Sequence, residues 1–358
     1  LKTLLVSPEL FRAEGGIARI MRIYLKALCE PASPQDTVDS LVLNDQRGAD
    51  PRLSRYSGPA LKSNVGFDRN RLRFAWQVVQ LARKADRAIC GHLHLLPLLR
   101  FAQRLNSRLA YSLVAHGIEV WRPYSARERR ALLGAHRILC VSEYTRRQLL
   151  RFCPALDPSR LRVVPNALDP FFQAARPVPA QTSAAGPRLL TVTRLSAADA
   201  YKGVDTLIEA VPLLKPLFPG VRLRVVGSGD DRPRLQALAE AKSVADSVEF
   251  AGTVSDESLK AEYAACDVFV LPSRREGFGL VYLEAMSFGK PCLAARAGGA
   301  PEVVNHGVGA LADYGNIPDI AAAVTDLVRH PRDPETIRRH AETFGFSTFQ
   351  RQLAAALA

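Results

Sequence analysis

The chain has 358 residues, 47% hydrophobic and 23% charged, with a formal net charge of +13. That length suits two domains of ordinary size, and the apolar fraction can fill a core in each. No apolar run approaches the roughly 20 residues of a bilayer-crossing helix, which argues against a membrane-spanning protein.

The charge is uneven. Residues 1–172 hold 28 Lys and Arg against 14 Asp and Glu, a net of +14, while residues 173–358 hold 20 against 21, a net of −1. A basic first half implies an anionic partner such as lipid head groups, a phosphorylated acceptor or nucleic acid. The six cysteines lie mostly within apolar runs and lack zinc or CxxC spacing, so they read as reduced core residues of a cytoplasmic protein. The start at Leu1 rather than Met leads us to expect a few preceding residues, and no signal-peptide pattern is present.

In chain order, KTLLVSPEL reads as a strand and FRAEGGIARIMRIYLKAL as the helix after it. Glu14, Gly15, Gly16 and Ile17 stand at the handover, where a glycine pair lets backbone amides approach a ligand at the helix start. The spacing is not GxGxxG, so a dinucleotide fingerprint is absent. Residues 37–43 form a second strand and 44–66 a polar loop. DRNRLRFAWQVVQLARKADR predicts an amphipathic helix, taken over residues 68–86, with Leu72, Trp76, Val79 and Leu81 on its apolar side. Arg69, Arg71, Arg73, Arg83 and Lys84 surround that side. AICGHLHLL is a strand ending in His92 and His94, both expected to be structural. RLAYSLVAHG is another, ending in His116 and Gly117, and a His-Gly pair at a strand end points into a crevice. RILCVSEYTRRQLL gives a strand and a helix with Ser142 as N-cap, and LRVVPNALDPFF closes the half.

Residues 173–187 lack periodicity and are rich in Pro and Ala, a linker signature. PRLLTVTRL then opens a second alternation of strands and helices. Arg194 and Lys202 flank a short loop before a helix, and two cations beside helix-start amides make a pyrophosphate clamp. VRLRVVGSG ends at Gly227, Ser228 and Gly229, and a turn at Gly252, Thr253 and Val254 follows the next strand. CDVFVLPS is a buried parallel strand, with Glu276 at its carboxyl end, where open α/β sheets bind ligands. Gly277 and Gly279 lead into the helix that carries Glu284, which can accept hydrogen bonds from vicinal hydroxyls. VGALA, two helices and a final helix complete the chain.

The run EGFGLVYLEAMSFGKPCLAARAGGAPEVV, with Glu276 and Glu284 eight residues apart, closely resembles the E-x7-E signature of retaining glycosyltransferases of the GT-B fold, family 4 (group 1). VSEYTR, VVPNALD and VGSG resemble other segments of that family, although Ala167 stands where the family usually has Gly. The resemblance covers essentially the whole chain. It implies an α/β fold of two Rossmann-like doubly wound domains facing across a cleft. These would be an acceptor-binding domain at 1–172, a linker at 173–187, a nucleotide-sugar domain at 188–342, and a C-terminal helix at 343–358 returning to the first domain.

The implied reaction is transfer of a hexose from a UDP- or GDP-sugar, with retention, to a lipid-linked, polysaccharide or otherwise anionic acceptor. Gly15 and Gly16 would border the donor phosphates and the acceptor, and His116 the donor sugar. Arg194 and Lys202 would hold the diphosphate, with Gly227 nearby, and the Thr253–Val254 backbone the base. Glu284 would take the ribose hydroxyls and Glu276 those of the sugar, beside the backbone of Gly277, Phe278, Gly279 and Leu280. No Asp-x-Asp occurs, so neither a metal nor a cofactor is expected beyond the sugar nucleotide. The basic helix at 68–86 suggests peripheral contact with an anionic membrane from the cytoplasmic side. Three rivals remain: a GT-B sugar-nucleotide epimerase, a nicotinamide oxidoreductase lacking its fingerprint, and a nucleic-acid-binding protein lacking a recognition module.

Overall fold

The structure is a computed structural model and describes residues 1–12, 15–30, 33, 35–48, 50–173 and 186–358. Glu14, and the linker expected at 173–187 over its stretch 174–185, lie outside the described residues. The chain divides into two compact units, Leu1–Asp169 with Phe346–Ala358, and Pro170–Gly345.

The first unit alternates β1 (Lys2–Ser7), α1 (Gly16–Cys29), β2 (Thr37–Val42), β3 (Leu61–Gly66), α2 (Arg71–Ala82), β4 (Arg87–Cys90), α3 (Leu96–Gln103), β5 (Ala110–Ala115), α4 (Ala126–Leu133), β6 (Arg137–Cys140), α5 (Glu143–Phe152) and β7 (Leu161–Val163). Its strands run parallel in the order β3-β2-β1-β4-β5-β6-β7. Strand order reverses between β1 and β4, the switch point at which such sheets open a crevice beyond their carboxyl ends.

The second unit contains β8 (Arg188–Val192), α6 (Val204–Leu214), β9 (Arg222–Val226), α7 (Arg232–Ala241), β10 (Val248–Gly252), α8 (Asp256–Ala265), β11 (Val268–Leu271), α9 (Leu280–Ser287), β12 (Cys292–Ala295), β13 (Gly309–Ala312), α10 (Ile317–Arg329) and α11 (Pro334–Glu342). Its parallel order is β10-β9-β8-β11-β12-β13, with the reversal between β8 and β11. Both β11 and β12 are buried at every position, which is why they read as unbroken apolar runs rather than as alternating ones. The last helix, α12 (Phe346–Leu357), belongs to the first unit. Phe349 meets Tyr24 of α1 edge to face at 5.0 Å, and the Lys26 ammonium lies 5.4 Å from the Phe346 ring. The two units are Rossmann-like doubly wound domains of α/β class.

Two sequence readings are corrected. Residues 44–66 are not all loop, because LKSNVG forms the edge strand β3. Only Gly66 of that strand is buried, so it lacks the apolar signal of a strand. Helix α2 turns its other stripe inward: Phe74, Val78 and Ala82 are buried, while Leu72 is 85% and Trp76 63% exposed. Helices α3 and α4 were not foreseen as separate elements. Ser142 does cap α5, accepting from the Thr145 amide at 3.1 Å. All six cysteines are buried and free.

Candidate functional site

Candidate residues of the second unit gather at the carboxyl ends of β8, β9, β10 and β11, around the switch point. The chain leaving β8 carries Arg194, then a tight turn over Ala197–Lys202 that hands over to α6 at Gly203. The Lys202 ammonium contacts the Glu276 carboxylate at 2.7 Å, with the two side chains only 19% and 15% exposed. The Arg194 guanidinium, 69% exposed, contacts Asp199 at 3.0 Å. Asp199 also accepts from the Tyr201 hydroxyl at 2.8 Å, and the Tyr201 carbonyl accepts from the Arg274 amide at 2.9 Å. Tyr201 thus ties the loop after β8 to the loop after β11. Arg194 and Lys202 are therefore both already paired with carboxylates.

Glu276 is held by its backbone. Its carbonyl accepts from the Gly299 amide at 2.7 Å, and a Cβ on Gly298 (φ +64°) would fall 2.4 Å from the same oxygen. The Gly-Gly of GGAPE is what lets that loop close on Glu276. Gly279 (φ +96°) is the N-cap of α9, and a Cβ there would fall 2.3 Å from the Tyr282 ring. No side chain caps α9, so its first amides are left for other acceptors. Gly277 and Phe278 precede it. The Phe278 ring is buried edge to face on Phe344 at 5.6 Å, which leaves the backbone of Phe278–Leu280 as the part available to a ligand.

Glu284 is 3% exposed, and its Oε2 accepts from the Tyr263 hydroxyl at 2.7 Å. Tyr263 in turn stacks on Phe288, with centroids 6.0 Å apart. Gly227 donates its amide to the Gly252 carbonyl at 2.9 Å, which brings the ends of β9 and β10 together. Beyond them Ser228 Oγ and Thr253 Oγ1 share a hydrogen bond of 2.8 Å, with Val254 following. The sequence reading singled out neither Asp199 and Tyr201, which lie within the Ala197–Lys202 turn, nor Tyr263, which only the fold brings to Glu284.

In the first unit the candidate residues are Gly15, Gly16 and His116. A Cβ on Gly15 or Gly16 meets no described atom within 4 Å, so their packing does not demand glycine. Gly15 gives α1 no side-chain cap, which leaves amides at its start. The incoming loop is fixed by the Asp45 carboxylate, which accepts the amides of Leu10, Phe11 and Arg12 at 3.2, 3.0 and 3.1 Å. His116, after β5, donates from Nε2 to the Gly91 carbonyl at 2.9 Å, and its buried Nδ1 lacks a partner among the described residues. Burial pushes this ring down to about 4. His92 and His94 stack with centroids 4.9 Å apart.

His116 is therefore expected to be neutral throughout the physiological range, with Nδ1 an acceptor. Above about 6.5 both folded and unfolded states hold the ring neutral. From there down to about 4 only the unfolded state takes the proton, so this residue makes the fold less stable as pH falls. Imidazole NMR should show a single Nε2–H tautomer that resists protonation until about 4. Titration near the free value would contradict the burial account.

The model for glycosyl transferases group 1 matches residues 183–344, and that for glycosyltransferase family 4 matches 35–171. A GDP-mannose-dependent alpha-(1-6)-phosphatidylinositol monomannoside mannosyltransferase from Mycobacterium tuberculosis is 36% identical over 214 residues, 56% of this chain and 54% of that protein. A D-inositol 3-phosphate glycosyltransferase from a Mycobacterium species is 35% identical over 229 residues, 61% of this chain and 51% of the other. The chain thus spans about half the length of the curated relatives it matches. Among solved structures, Anabaena HepE in complex with UDP-glucose superposes with a TM-score of 0.79 at 22% identity, over 99% of both chains. Sucrose-phosphate synthase from Thermosynechococcus elongatus gives 0.77 at 21%, over 99% of this chain and 98% of that one. These two likenesses speak to the fold. With one family model on each unit and doubly wound sheets in both, the chain belongs to the group 1, family 4 glycosyltransferases of the GT-B fold.

Proposed function

We propose that the protein transfers a glucose- or mannose-like hexose from a GDP- or UDP-sugar, with retention, to a hydroxyl of a lipid-linked, polysaccharide or otherwise anionic acceptor. The observation that carries this reading is the group at the β8/β11 switch point. There Arg194, Lys202 and the uncapped start of α9 present positive charge, and Glu276 presents a carboxylate. In this reading the diphosphate draws Arg194 from Asp199 and Lys202 from Glu276. Glu276 is then released to accept hydrogen bonds from the sugar. Glu284, braced by Tyr263, is assigned to the ribose diol.

The bond from the anomeric carbon to the phosphate oxygen breaks while the acceptor oxygen bonds that carbon on the same face. The acceptor proton passes to the departing phosphate. Arg194 and Lys202 offset the charge developing on the leaving group, which is the work a divalent metal does elsewhere. We therefore propose metal-independent transfer, for which activity should survive EDTA. The neutral His116, with its free Nδ1 acceptor, is assigned to the sugar from the first unit.

We also assign the protein to an anionic membrane surface on the cytoplasmic side. The solvent face of α2 supports this, with Leu72 and Trp76 exposed among Arg69, Arg71, Arg73, Arg83 and Lys84. Thermal-shift screening against GDP-, UDP- and ADP-sugars tests the donor half of the reading. A donor at 100 times its dissociation constant should stabilise by about 2.7 kcal/mol. No shift with any sugar nucleotide, and no nucleoside diphosphate released with candidate acceptors, would overturn it.

A further inference from the structure

On the first unit an open groove of about 1280 Å³ runs from the carboxyl edge of the sheet, at Pro8, Asn44 and His92, out over α3 between α2 and α4. It is far larger than packing defects, and its lining has a definite character. Arg71, Arg100, Arg104, Arg127 and Arg130 border it, and no Asp or Glu does. Arg71, Arg104, Arg127 and Arg130 are exposed and make no ion pair among the described residues. Two acids stand just behind its lining and both are engaged: Glu128 pairs with Arg122 at 2.6 Å, and Glu9 accepts from the Asn44 amide group at 2.9 Å. The same groove has an apolar floor and wall of Leu95, Leu98, Phe101 and Leu133, with Phe101 51% and Leu133 37% exposed. Large apolar side chains left in water beside unpaired cations mark a surface that something covers.

Cations alone would suit any polyanion, and apolar side chains alone any hydrophobic partner. Their interleaving along one groove suits a molecule carrying both a phosphate and a hydrocarbon chain. We propose that this groove binds one anionic phospholipid-type molecule, its phosphate on the arginines and the first part of an acyl chain along Leu98, Phe101 and Leu133. The polar end then lies toward His92 and Asn44, at the sheet edge where transfer would occur. This deepens the acceptor assignment and rests on it in that one respect. It names a built site for a single lipid, which shares Arg71 with the outward face of α2 that would meet a bilayer.

The test is calorimetric titration of the whole chain with dihexanoyl phosphatidylglycerol below its micellar concentration. Dihexanoyl phosphatidylcholine, glycerophosphoglycerol and a single-stranded oligonucleotide serve as comparisons. Saturable binding of the anionic lipid, tighter than each comparison, is expected. The triple variant Arg104→Gln, Arg127→Gln, Arg130→Gln should weaken it by about tenfold or more. Its melting temperature and nucleotide affinity should be unchanged, since these side chains are exposed and unpaired. Phe101→Ser should weaken the lipid but not glycerophosphoglycerol. Equal binding of phosphatidylcholine, equal binding of the head group alone, an unchanged affinity in the triple variant, or preference for the oligonucleotide would each overturn the proposal. Groove-dependent lipid binding without any sugar-nucleotide binding would instead sink the transferase reading and leave the groove standing.

Discussion

Glu276→Gln is expected to lower turnover by about a hundredfold while leaving nucleoside diphosphate affinity unchanged or slightly tighter. Glu276 and Lys202 pair at 2.7 Å, and both side chains are mostly withdrawn from water. A diphosphate entering this crevice competes with the carboxylate for the same ammonium. Removing the carboxylate removes a competitor and a like charge, so the nucleotide loses nothing. The sugar, by contrast, loses a charged acceptor that fixes its orientation, and misplacement at the reacting carbon is what turnover feels most. Steady-state kinetics beside calorimetry separates the two quantities. A fall in nucleotide affinity as large as the fall in turnover would show that Glu276 acts on the nucleotide rather than on the sugar.

The second large effect is expected at the cations. Arg194→Ala and Lys202→Ala should each weaken nucleoside diphosphate binding by about 10- to 100-fold, from charged hydrogen bonds worth about 1.5–3 kcal/mol. Their consequences for the fold should differ. Arg194 is 69% exposed and its pair with Asp199 is solvent-screened, so its loss should scarcely change the melting temperature. Lys202→Ala leaves the Glu276 carboxylate, 15% exposed, without its cation, which should cost stability. The double variant Lys202→Ala, Glu276→Gln removes the stranded charge and should regain part of that loss without regaining affinity. Unchanged affinity in both single variants would remove the clamp from the account.

How much of this was legible in the sequence depends on how local the causes are. The strand, glycine turn and helix around Glu276 could be read because β11 is buried on both faces and Gly279 and Gly289 punctuate the helix. Helix α2 was misread for a definable reason. Residues 72, 76 and 79 and residues 74, 78 and 82 are both helical stripes, and only packing against the sheet decides which turns in. Strand β3 was lost because an edge strand needs no second buried face. The supports of the candidate site were invisible for another reason. Tyr263 and Glu284 are 21 residues apart and Lys202 and Glu276 are 74 apart, distances that only the fold closes. The Gly298-Gly299 pair was seen as a mark of the family, and its physical role emerged only when its loop was found against the Glu276 carbonyl.

The most direct test of the central claim is a crystal structure with the sugar nucleotide that thermal-shift screening selects. Diphosphate oxygens are expected about 2.7–3.2 Å from the Arg194 and Lys202 nitrogens and from the first amides of α9. Lys202 should be drawn away from Glu276, with the ribose diol on Glu284 and the sugar on Glu276. A nucleotide bound away from the β8/β11 crevice, or one bound there with the Lys202–Glu276 pair intact and Glu284 untouched, would contradict that claim.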